Sequence, residues 1–256
     1  MNKYKPRQQN LYQPNSAKAF RISRSKIDLF CECRRCFWLD RKMGLGRPSM
    51  PGFTLNSAVD QLLKNEFDQL RKTGDKHELM ERFNIDAVPF DHPDLPFWRD
   101  DVHRFIGAAV IHQPTNLEIC GIVDDLWINS KNELHIVDYK ATSTNKEISL
   151  EDEYKQSFKK QIEIYQWIFR RLGFKVSDIG YFVYANAGKN RPKFDARLEF
   201  ELQIISYRGD DSWVEPTLFE LKECLASPTL PPAGENCEYC AYRQHIAKIE
   251  NASSRI

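Results

Sequence analysis

No stretch of 18 apolar residues occurs in the 256-residue sequence, so no segment is expected to cross a bilayer as a helix. The first 20 residues lack the apolar core of a secretory signal and are rich in Gln, Asn and Pro instead. The seven cysteines are an odd set. Without an export signal, that argues against a disulfide framework and for a reducing cytoplasm, where clustered cysteines more often bind metal. Internal repeats and low-complexity tracts are missing too, so nothing points to a repeat architecture. What remains is the composition of an ordinary globular protein, 41% hydrophobic, 29% charged and 12% aromatic. Its length suits one well-buried α/β domain with appendages, or two small domains. The net charge of +1 hides an asymmetry, because the first 50 residues carry twelve Lys and Arg against only Asp28, Glu32 and Asp40. Such a segment suits a polyanion partner or a solvated arm equally.

Residues 1–24 are polar and basic and are expected to form a disordered arm. Helical spacing follows over 25–45, carried by Ile27, Phe30, Phe37 and Leu39 with Ser25 as N-cap. It recurs more strongly over 54–71, where Gly74 lies just past the end. Four prolines (Pro89, Pro93, Pro96, Pro114) interrupt 75–115, which reads as an irregular or helical insertion. Strand-like runs at 117–128 and 133–141 flank a polar turn and predict a β-hairpin. An amphipathic helix is expected over 151–172, closed by Gly173. Strands over 179–185 and 198–207, with a basic loop between them, and a helix over 213–225 complete the pattern; 246–256 reads as a tail.

Residues two apart on a strand share a face, so Asp138 and Lys140 project together. The predicted hairpin brings Asp124 alongside them. Two carboxylates, with the Tyr139 carbonyl and water, supply the hard oxygen ligands that Mg²⁺ or Mn²⁺ prefers. A lysine beside such an ion can orient water and stabilise charge on a phosphate. The plainer alternative is an exposed Asp138–Lys140 pair of little consequence. Asp125 is a third acid, expected to face the opposite side. On the following helix Gln161 and Tyr165 stand at i, i+4 and share a face, although Tyr165 also fits the buried stripe.

In this order and at these intervals, Gly121-x-x-Asp124, Asp138-x-Lys140 and Gln161-x-x-x-Tyr165 resemble the RecB-type branch of the PD-(D/E)xK nucleases. That branch includes the RecB and AddB nuclease domains and the iron–sulfur CRISPR-associated nucleases. The resemblance covers nearly the whole chain and defines a nuclease-like domain over 25–245. It implies a restriction-endonuclease-like α/β core, with a central mixed β-sheet flanked by helices. It further implies that Asp124 and Asp138 are metal ligands, Lys140 is the catalytic lysine, and Gln161 and Tyr165 are the supporting pair. One departure stands out. Where the family often has a metal-binding His in the first long helix, Asn56 occupies the equivalent position, and its amide oxygen is a weaker ligand.

Two further motifs lie near opposite ends of the chain, Cys33-x-x-Cys36 and Cys237-x-x-Cys240. Each can grip a metal from one turn, and together they complete an S₄ set joining the termini. The relatives with a [4Fe–4S] cluster use one N-terminal and three C-terminal cysteines, whereas this chain offers two and two, with His245 nearby. The resemblance favours a [4Fe–4S] cluster held by Cys33, Cys36, Cys237 and Cys240, with a structural Zn²⁺ at the same four residues as the alternative. Cys120 and Cys224 read as small core residues, and Cys31 as a spare ligand.

Arg34, Arg35, Arg41 and Lys42, then Lys159 and Lys160, and the Lys189–Arg191–Lys193 loop are candidate phosphate contacts. Tyr184, Phe194 and Trp213 could stack on bases, or pack in the core. The expected function is a divalent-metal-dependent nuclease acting on DNA rather than RNA, on single strands or ends, in repair, recombination or defence. The modest charge suggests a partner protein that presents the substrate. The alternative is a weak or inactive nucleic-acid-binding scaffold that keeps the fold.

Overall fold

A computed structural model describes residues 4–49, 51–100 and 107–253. In chain order the elements are β1 (Phe20–Ser23), α1 (Arg24–Glu32), α2 (Arg34–Met43), α3 (Thr54–Thr73) and α4 (Glu78–Arg82). Next come β2 (Val88–Pro89), α5 (Leu95–Arg99), β3 (Ala108–His112), β4 (Leu117–Gly121), β5 (Asp125–Ile128) and β6 (Leu134–Thr142). The chain ends with α6 (Gln156–Arg171), β7 (Ile179–Ala187), β8 (Phe200–Arg208), α7 (Val214–Ala226) and α8 (Glu238–Ser253). No helix among the described residues is long and apolar enough to cross a membrane.

The mixed α/β architecture expected from the sequence is present. It divides into two compact units: one holds 1–50, 111–119 and 215–256, the other 51–110 and 120–214. The second contains a five-stranded sheet of order β2-β5-β6-β7-β8. Within it β6 and β7 run parallel and the other neighbours antiparallel. A parallel pair needs a crossover, and α6 supplies it between β6 and β7. Alternation along β6 then assigns the two faces. Val137 and Tyr139 join Trp127, Val183 and Ile204 in a core closed by Leu63 and Phe67 of α3. Asp138 and Lys140 lie on the other face with their register partners Phe182 and Tyr184. α6 approaches that face closely, because a Cβ on Gly180 would stand 2.6 Å from Ile162.

Several boundaries differ from expectation. The single helix over 25–45 is two helices, because Cys33 is extended (φ −158°) and caps α2, its sulfur accepting the Cys36 N–H. The N-cap of α1 is Ser23 rather than Ser25. The run over 117–128 is broken at residues 122–124, so Asp124 stands in the gap between β4 and β5 rather than on a strand. The helix over 151–172 starts only at Gln156, after a 3₁₀ turn. The proline-rich stretch contributes β2 at the sheet edge, where Pro89 has no ladder donor to lose.

In the first unit, part of the segment read as a disordered arm is strand β1, and Tyr12 and Ile22 are buried. Their contacts are specific: Arg7 bonds the buried Asp40, and Lys222 stands over the Tyr12 ring. The segment read as a tail continues helix α8 to Ser253, since good helix formers such as Ala247, Lys248 and Glu250 run on without Gly or Pro.

Candidate active site and metal centre

Asp138 is buried, 1% exposed, in the middle of β6. Gln161 donates from Nε2 to its Oδ1 at 2.6 Å, and its Oδ2 pairs with the Lys140 ammonium. Lys140 stands 4.6 Å above the Phe158 ring, so its stem is held while its charge faces the carboxylate. From the gap between β4 and β5, Asp124 accepts the Tyr139 N–H at Oδ2, 2.9 Å away. That amide is the peptide link between Asp138 and Tyr139, so the two carboxylates meet across one peptide group. Burial and then the charge of Asp138 push the Asp124 carboxyl up to about 6, against the pull of Lys140 and Lys64.

Asp125 does face the other side. It is fully buried, salt-bridged to Arg71 at 2.6 Å, and accepts the Tyr139 hydroxyl at 2.7 Å. Tyr139 therefore spends its side chain on the core and offers only main-chain atoms to the Asp124–Asp138 side.

Gln161 and Tyr165 take different places. Gln161 holds Asp138 directly. Tyr165 is core, 3% exposed, yet its hydroxyl donates to the Ile122 carbonyl at 2.6 Å, at the start of the gap that carries Asp124. Its ring also explains the glycine of the motif, because a Cβ on Gly121 would stand 2.3 Å from the Tyr165 ring. The glycine and the tyrosine are thus one packing unit.

Asn56 is exposed in the first turn of α3, a poor place for a ligand to a half-buried carboxylate site. The α3 residues coupled to the site are one and two turns further on. Asp60 is raised by burial and by the charge of Asp124, and it pairs with Lys64 at 2.9 Å. Sequence reasoning missed both, although Asn56, Asp60 and Lys64 repeat every four residues and so share a helix face. It also left Tyr184 undecided. Tyr184 lies in register with Lys140, is 3% exposed, and its hydroxyl has no hydrogen-bond partner among the described residues. Burial and then Asp138 raise its pKa, so it stays a neutral donor.

Crowding of three carboxylates at a half-buried site is unfavourable by itself. The donor chemistry fits a hard divalent cation held by Asp124 and Asp138, which would relieve the repulsion that raises Asp124.

The four motif cysteines converge within the first unit, each buried, with all four Sγ atoms within 4.8 Å of one another. The Sγ atoms are 3.6 Å apart for Cys36–Cys237, 3.7 Å for Cys36–Cys240 and 3.8 Å for Cys33–Cys240. Burial alone would raise the Cys33 thiol, but hydrogen bonds from the N–H groups of Cys36 and Gly234 and from neighbouring thiols bring it down to about 7. Cys36 is pushed up to about 11 by burial, with Arg47 opposing. Cys120 is buried as expected, and Cys31 is exposed and not one of the four clustered cysteines.

The basic residues divide. Arg41 is buried and bonds the Asn10 carbonyl, so it is a structural residue rather than a surface contact. Arg34 pairs with Glu220, Arg35 bonds the Pro231 carbonyl, and Lys42 bonds the Ser227 carbonyl. Lys159 pairs with Glu151 at 3.6 Å, and Arg191 with Glu199 at 2.9 Å. Trp213, partly buried, donates from Nε1 to Glu163 at 2.6 Å, whereas Phe194 is 76% exposed.

A sequence model of the family described as "PD-(D/E)XK nuclease superfamily" matches residues 21–245. No curated protein matches the chain.

Proposed function

The chain belongs to the PD-(D/E)XK nuclease superfamily, and from that premise we propose that it hydrolyses phosphodiester bonds in DNA at Asp124, Asp138 and Lys140. The observation that carries this reading is the anchoring of Asp124 on the Tyr139 amide beside Asp138. A bound Mg²⁺ or Mn²⁺ would lower the pKa of a water and neutralise charge on the scissile phosphate. The remaining steps belong to the chain's own groups. Gln161 fixes the rotamer of Asp138 through its 2.6 Å bond. Tyr165 holds the 122–124 gap in the shape that presents Asp124. Lys140, which pairs with Asp138 on the same strand face, would orient the attacking water and stabilise the pentacovalent phosphate. Lys64, beside Asp60, offsets the negative charge around Asp124.

The order of the motifs supports the RecB-like branch. Exposed Phe194 with Lys193, and exposed Tyr154 beside Phe158, support single strands or ends, whose unpaired bases can stack on aromatic rings. A net charge of +1 supports weak intrinsic affinity and a partner protein that delivers substrate, in repair, recombination or defence.

For the cysteines we favour Zn²⁺ over [4Fe–4S]. Zn–S bonds of about 2.3 Å around a tetrahedron put sulfurs ~3.8 Å apart; three of the six separations are 3.6–3.8 Å and all six lie within 4.8 Å. Thiolates that each cap a different iron of a cubane stand further apart. Metal analysis tests this: a colourless protein with a single zinc is expected, and a brown protein would overturn it.

The main test incubates the protein with Mn²⁺ and labelled single-stranded DNA, beside Asp138→Ala. Cleavage is expected to fall by roughly 10²-fold or more in the variant. Binding without cleavage by the wild type would overturn the hydrolase reading in favour of the scaffold.

A further inference from the structure

The thiolate site carries a guanidinium that no motif accounts for. Cys33, Cys36, Cys237 and Cys240 are all under 8% exposed. Four thiolates around a divalent zinc leave a formal charge of about −2, and an unbalanced charge in such surroundings is costly. Among the described residues, three donors other than the thiols themselves reach the sulfurs. Two are neutral main-chain groups on Cys33 Sγ: the Cys36 N–H at 3.5 Å and the Gly234 N–H at 3.2 Å. The third is charged, Arg47 Nη2, at 3.3 Å from Cys237 Sγ.

Arg47 is held from two other sides. Its Nη1 bonds Glu32 Oε2 at 2.7 Å, and its guanidinium lies 4.5 Å over the ring of Tyr239, inside the second cysteine pair. Its side chain is only 18% exposed. A long, flexible cation loses considerable entropy on being fixed this way, and the Glu32 pair alone, half open to water, returns little. The compensating gain is a charge-assisted bond to a thiolate.

We propose that Arg47 is the charge-compensating positioning residue of the four-thiolate centre, setting how tightly the centre holds its metal. The proposal rests on the reading that these cysteines bind zinc, but its logic needs only a centre of net negative charge. A [4Fe–4S]²⁺ cluster with four thiolates carries the same formal charge.

The experiment uses the full chain as wild type, Arg47→Met, Arg47→Lys and Glu32→Gln, and measures zinc affinity by competition with a chromophoric chelator. Arg47→Met is expected to bind zinc about tenfold or more weakly, the usual cost of losing a partner to a metal ligand. Arg47→Lys should fall between, keeping the charge and losing the fork, and Glu32→Gln should give a smaller loss in the same direction. Thermal melting of the metal-free proteins separates this from a fold defect, since wild type and Arg47→Met should then melt together. Equal zinc affinity within about twofold, or a metal-free Arg47→Met that melts lower, overturns the proposal. A wild type without zinc overturns the zinc reading instead. Should it hold iron and sulfide, the same variants are compared by the rate at which chelator bleaches the cluster. Faster loss from Arg47→Met would uphold the role of Arg47, and equal rates would overturn it.

Discussion

Asp124 keeps its proton up to about pH 6, because burial and the neighbouring Asp138 both oppose its charge. An unfolded Asp titrates near 3.9, so between roughly pH 4 and pH 6 the folded chain binds more protons than the unfolded one. The contribution of this group to stability therefore falls as pH rises through that window. Metal-free Asp124→Asn is expected to melt above wild type at neutral pH, by on the order of 2 kcal/mol, and the advantage should vanish below about pH 4. Melting curves in chelator across that range check it. Cleavage should show the complementary trend, declining as pH drops through about 6, since a proton competes with the cation for this carboxylate. Tyr184 gives a second expectation at the same scale. Its buried hydroxyl has no hydrogen-bond partner among the described residues, so Tyr184→Phe should leave the melting temperature unchanged or raise stability by up to ~1 kcal/mol. A clear loss of stability would reveal a bond that the present geometry does not contain.

Helix α6 and the β4–β5 gap act as a pair. Gly121 leaves room for the Tyr165 ring, whose hydroxyl then fixes Ile122, two residues before Asp124. Gly121→Ala is expected to displace that ring and cost roughly 1–3 kcal/mol by overpacking, with cleavage reduced alongside; chemical denaturation and the DNA assay read both. Tyr165→Phe should keep most of the stability and lose mainly activity, because only the bond that shapes the gap is removed. At this scale the sequence was legible wherever period and punctuation agreed. α3 and α6 from Gln156 onward, with Gly74 and Gly173 past their ends, and strands β6 to β8 lie where the 3.6 and 2.0 periodicities put them. It misled where one residue breaks a pattern. Cys33 splits a helical stripe by capping with its own sulfur, and residues 122–124 leave a strand whose composition still reads as continuous. Asp60 and Lys64 went unread because an acid and a lysine at i, i+4 look like any surface pair. Their significance comes from the Asp124 charge beside them, which no local pattern encodes.

On the scale of the whole molecule, the cysteine pairs are 200 residues apart in sequence and adjacent in space. Metal binding there acts on folding, because the unfolded chain offers no preformed site. Chelation is expected to raise amide exchange in α1, α2 and α8, with much less change in β6 and β7, as hydrogen-exchange mass spectrometry would reveal. Cys237→Ala should lower the melting temperature more than it lowers cleavage per folded molecule. The sequence by itself determined which side chains are available: two carboxylates and a lysine with strand spacing, a Gln and a Tyr on one helix face, and two thiol pairs. Those follow from local periodicity, which the chain writes directly. Tertiary structure alone decided which of them meet. It put Asp124 on the Tyr139 amide, Asp60 against Asp124, and Arg47 on Cys237. These contacts join residues from 15 to 190 positions apart, and their energies depend on distance and burial that exist only once the chain has folded.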